Sequence, residues 1–115
     1  MSTEKRWQMR VEHMLEAIRR VEEYVTNLLE RAFGTDRRTI DAVIRNIEII
    51  GEAARHIPVE VQSRYSQVPW SQMQGMRHVL IHNYFGVRTD IVWRTVQADL
   101  PVLVQPLERI LKENP

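Results

Sequence analysis

The chain has 115 residues, 43% of them hydrophobic and 27% charged, with a formal net charge of +1. That is enough chain for one domain, residues 1–115, with a real core, and so small a net charge neither demands nor forbids a nucleic-acid partner, because phosphate binding follows the local field. The absence of cysteine excludes disulfide frameworks, thiolate nucleophiles and cysteine-based zinc sites.

The N-terminal stretch MSTEKRWQMRVEHM is charged and carries no apolar signal core. No segment approaches the run of about 20 apolar residues that spans a bilayer. A cytoplasmic protein without membrane contact is expected. Val11, Met14, Leu15, Ile18, Val21, Val25, Leu28 and Leu29 recur at three- and four-residue steps, which predicts one amphipathic helix over about residues 5–32, stopped by Gly34. Thr35 or Asp36 then caps a second helix over about 37–56. Its face of Ile40, Val43, Ile44, Ile47, Ile50 and Ala54, widened by Ile49, marks it as central. Gly51, Ala53 and Ala54 permit close helix approach, which offsets the roughly 1 kcal/mol that glycine costs inside a helix.

The His56-Ile57-Pro58 step ends that helix, and Pro58 can open a short one. After a break at Gln67-Val68-Pro69-Trp70, a third major helix is predicted from about Ser71 to Tyr84, with Gly86 as its stop. Thr89 or Asp90 caps the last helix. Its apolar residues keep helical spacing past Pro101 and Pro106, so one kinked helix is expected rather than two. The fold class is all-α, a helical bundle.

The stretch GMRHVLIHNYFGV, residues 75–87, carries unusual polar content for a helix. His78 and His82 lie four apart and share a helical face, as a metal pair would. Further ligands are not evident, however, and Val79 stands where a zinc metalloprotease would carry its glutamate, so no metal or other cofactor is expected. Acid–base work on a phosphodiester fits better. RNA is cleaved without metal when its own 2′-hydroxyl attacks the adjacent phosphorus. That step needs a group moving protons near neutral pH and a fixed positive charge on the phosphate oxygens. His82 and Arg77 supply these, and Asn83 and Tyr84 offer hydrogen bonds and a stacking ring. Arg77 and His82 are five residues apart, about 140° around a helix, so one straight helix does not converge them. Two copies crossing at a two-fold axis would. Glu48 and Glu52, one turn apart with Arg45 and Arg55 beside them, form a solvated salt-bridged face, or else orient Arg77 or line the shared cleft.

The string RHVLIHNY resembles the Arg-x4-His-x-Tyr signature of the HepT-like ribonuclease toxins of the HEPN superfamily. DRRTIDAVIRNIEIIGEAARHIP, YSQVPWSQMQGMRHVLIHNYFGV and DIVWRTVQADLP are similar to family blocks in family order, covering about residues 36–101. The resemblance implies a HEPN-like bundle that forms a homodimer, with paired Arg77 and His82 lining a cleft at the two-fold axis. It implies a metal-independent endoribonuclease acting as the toxin of a type VII-like toxin–antitoxin module. It also implies a cognate minimal nucleotidyltransferase antitoxin that transfers AMP to Tyr84. Two positions depart from the family pattern. His78 stands where asparagine is common, as a possible support to the site, and Arg88 stands where aspartate is common, adding positive charge beside the motif. A non-catalytic helical binding subunit of a nucleotidyltransferase complex is the alternative.

Overall fold

Asp36 sets the position of the central helix. Its side chain accepts a hydrogen bond from the Thr39 backbone N–H at 3.1 Å and another from the Thr39 hydroxyl at 2.7 Å, so it satisfies one of the donors that a helix start leaves open. The computed structural model describes residues 3–82 and 88–115, with side chains described over 7–76 and 88–115. In chain order the described elements are α1 (Thr3–Val25), α2 (Glu30–Thr35), α3 (Arg37–Arg55), α4 (Val59–Arg64), α5 (Trp70–His82), α6 (Thr89–Arg94) and α7 (Val104–Glu113). A π-helical turn (Thr95–Asp99) and a 3-10 turn (Pro101–Leu103) join the last two. The described residues contain no strand, and the architecture is an all-α, HEPN-like bundle with a bent C-terminal helix.

The central placement of α3 holds. It packs against α1, α5 and α2, while α1 also packs against α7. Val43, Ile47, Ile50 and Ala54 are wholly buried on α3, and Gly51 and Ala53 are buried beside them. From α1, Val11, Met14, Ile18 and Val21 close the same core. Asn46 is the buried polar side chain of α3; its Nδ2 donates to the Ala42 carbonyl at 2.9 Å. The N-terminus of α5 is anchored by buried Trp70, whose indole N–H donates to the Tyr65 carbonyl at 3.1 Å. The Tyr65 hydroxyl donates to Glu113 at 2.7 Å, tying the α4–α5 connection to the end of α7.

Three boundaries differ from the sequence expectation. The first helix ends at Val25 rather than near residue 32, because Asn27 adopts a left-handed φ of 66°, a conformation asparagine tolerates better than most residues. The chain then restarts as α2, so Gly34 lies inside a helix instead of stopping one. At the start of α6 the capping position belongs to Arg88, with no side-chain cap bond, and not to Thr89 or Asp90. The C-terminal run bends by 31°, as its prolines predict. Pro101 has no N–H, and its ring would press on a regular helix one turn back. The widened π turn relieves this, with the Leu100 N–H donating to the Thr95 carbonyl at 3.0 Å. Pro106 falls in the first turn of α7, where a missing N–H is harmless.

Candidate functional site

The two motif residues of greatest interest share one element. Arg77 and His82 both belong to α5, and His82 is its last residue. Their five-residue separation on a continuous helix keeps them about 140° apart around its axis. The side chains of Arg77, His78 and His82 lie outside the described ones, and Asn83 and Tyr84 lie outside the described residues altogether.

Glu48 and Glu52 are half-buried on the flank of α3 that faces α1. The Arg45 guanidinium stands 4.0 Å from Glu48, and the Arg55 guanidinium 3.8 Å from Glu52. The Nε2 of His56 lies 3.0 Å from Glu52. The salt-bridged stripe expected from the sequence is therefore present. It is also one wall of a groove of about 480 Å³, whose other wall is Arg10 and His13 of α1. Those two residues escaped the sequence analysis. Their signal was the three-residue step from Arg10 to His13 on the polar side of α1. Four basic side chains and two carboxylates thus share one groove, a mixed surface rather than a purely cationic one.

Arg88 follows the motif segment and departs from simple expectation. Its guanidinium grips Asp90 with two parallel hydrogen bonds, at 3.0 and 2.8 Å. That fork holds the Asp90 carboxyl below the usual carboxylate range and raises Arg88 in turn. The charge Arg88 brings to the motif is largely met by its own neighbour. Among the described residues no three histidine, aspartate or glutamate side chains converge as metal ligands, and no described helix is long and apolar enough to cross a membrane.

Comparison with known proteins gives a consistent result. The family model described as "Ribonuclease HepT-like" matches residues 14–110. A Thermococcus cleftensis protein named "Probable ribonuclease HepT" is 40% identical over 102 residues, covering 89% of this chain and 93% of that one. A Methanocaldococcus jannaschii protein named "Gamma-glutamylcyclotransferase and putative RNase" is 42% identical over 101 residues, covering 88% of this chain. The chain spans only 46% of the length of that second relative. No solved structure gives a significant match.

Proposed function

The chain belongs to the HepT-like ribonuclease family, and from that premise we propose that it is a metal-independent endoribonuclease whose chemistry is carried by Arg77 and His82. The observation that carries the proposal is the family match over residues 14–110, within which the Arg-x4-His pair occupies the last turns of α5. The substrate's 2′-oxygen attacks phosphorus, the bond to the 5′-oxygen breaks, and a 2′,3′-cyclic phosphate forms. A proton leaves the 2′-hydroxyl and one reaches the departing 5′-oxygen. His82 moves protons in this exchange. Arg77 holds the non-bridging oxygens as negative charge builds on them. Because 140° separates the pair on one helix, the working site is composite: a homodimer places two α5 ends in one cleft. His78 and Asn83 support that cleft, and Glu48 and Glu52 flank it.

In this proposal the protein is the cytoplasmic toxin of a two-component module. Its antitoxin is a minimal nucleotidyltransferase. The Tyr84 oxygen attacks the α-phosphorus of ATP, pyrophosphate leaves, and AMP remains on the phenol. The attached phosphate competes for Arg77 and repels the RNA backbone, while the nucleoside fills the cleft. RNA cleavage by the purified chain, with and without Arg77→Ala, tests the catalytic part. A folded wild-type protein that leaves RNA intact would overturn it and favour the non-catalytic binding subunit.

A further inference from the structure

Trp93 differs from the other two tryptophans. Trp7 and Trp70 are 8% and 5% exposed and belong to the core. Trp93 is half-buried: part of its ring packs on Phe33, with centroids 5.1 Å apart and planes tilted by 45°. The remainder lines a groove of about 520 Å³ on α6 and the π turn. Around it stand Arg94, Gln97 and Glu30. All three are exposed, and none makes a side-chain hydrogen bond or ion pair among the described residues. Arg88 and Asp90 close one end of the groove and satisfy each other.

This combination is unlike a phosphate track, because its charges balance. It is the combination that reads a nucleobase: a half-buried aromatic ring packed against a core phenylalanine, with free donors and acceptors around it. The groove is also near the motif. Five residues separate His82 from Arg88, so the chain holds Arg88, at one end of the groove, within about 20 Å of the end of α5. We propose that Trp93 stacks an unpaired base of a single-stranded RNA, with Arg94, Gln97 and Glu30 contacting the base edge. It is therefore a specificity subsite for the strand cut at Arg77 and His82. The proposal rests on the ribonuclease assignment for its purpose, but the binding itself is measured without cleavage.

The probe is a fluorescently labelled single-stranded 2′-O-methyl hexanucleotide, in which the attacking hydroxyl is blocked. Binding to the full chain should quench tryptophan fluorescence, since Trp93 is the most exposed of the three tryptophans. By anisotropy, Trp93→Leu should bind about tenfold more weakly, within the roughly 5- to 150-fold range expected for one stacked base. Arg94→Glu, a surface change that leaves the ring in place, should also weaken binding. Circular dichroism establishes that each variant is folded. Unchanged affinity in both folded variants would overturn the proposal, as would equal competition by duplex RNA, whose bases are not free to stack. Binding at Trp93 with no cleavage of unmodified RNA would leave this subsite standing and remove the ribonuclease assignment. Normal cleavage by folded Trp93→Leu with unchanged affinity would do the reverse.

Discussion

Arg77 and His82 sit on the same helix, α5, five residues apart, so about 140° of helix rotation separates the proposed phosphate-binding group from the proposed proton-transfer group. A regular helix does not bring them onto one face over those five residues. A second copy of α5 can. The protein should therefore be a homodimer in solution. Light scattering at micromolar concentration should give twice the 13.7 kDa of one chain. A monomer would argue strongly against a composite site.

Ile47 lies at the centre of α3, fully buried between its neighbours. Ile47→Ala removes three carbons from a packed interior and leaves a cavity. The expected loss is about 2–5 kcal/mol of stability, read from denaturant unfolding. Leu29→Ala, at a position 77% exposed, should cost almost nothing.

Much of this fold was legible in the sequence, and the misses have physical causes. The predicted 37–56 helix matches Arg37–Arg55 because both of its signals are local: an aspartate cap and a proline three residues past the end. The first helix is shorter than its hydrophobic period predicts for the opposite reason. Leu28 and Phe33 bury the same side of the bundle as Val25, so hydrophobic period runs on through a turn that only Asn27 betrays. The bent C-terminal helix was visible from Pro101, but the π turn that absorbs the missing N–H is a backbone adjustment with no side-chain signature.

The candidate site rests on different signals. Arg77, His82 and Tyr84 stand out because residues able to move protons and hold phosphate are out of place in an apolar segment. Glu48 and Glu52 showed their salt-bridged stripe from spacing alone. The groove they share with Arg10 and His13 did not show, since it depends on how α1 lies across α3. Trp93 was hidden for a similar reason: its distinction from Trp7 and Trp70 is one of burial, decided by the tertiary fold.

The pH dependence of stability follows from the carboxylates. The Thr39 hydroxyl and backbone N–H hold Asp36 below its ordinary pKa. Arg19 does the same for Glu16, Arg88 for Asp90, and Tyr65 with Arg109 for Glu113. A group depressed in the folded state contributes stability above its unfolded pKa and loses it as pH falls through the folded value. The melting temperature should therefore hold near neutrality and fall below about pH 4. Asp36→Asn keeps a capping acceptor but does not titrate, so its acid loss should be shallower than that of the wild type. A steeper loss would mean that the Asp36 bond to Thr39 is not what depresses the carboxyl.

Control through Tyr84 is tested by intact mass. Incubation with the cognate nucleotidyltransferase and ATP should add AMP to the wild-type chain and none to Tyr84→Phe, which lacks the acceptor oxygen. The modified protein should keep its helical circular dichroism and lose RNase activity. AMP attached elsewhere, or full activity after modification, would contradict the mechanism.

The most direct measurement is the product of RNA cleavage in the presence of EDTA. The wild-type protein should cut RNA under chelation and leave a 2′,3′-cyclic phosphate or its hydrolysis product. Arg77→Ala and His82→Ala, each folded, should be slower, with the His82 variant down by about 10²–10⁴-fold, the usual contribution of one proton-transfer group. Undiminished cutting by either folded variant, or activity abolished by EDTA and restored by zinc, would contradict the account.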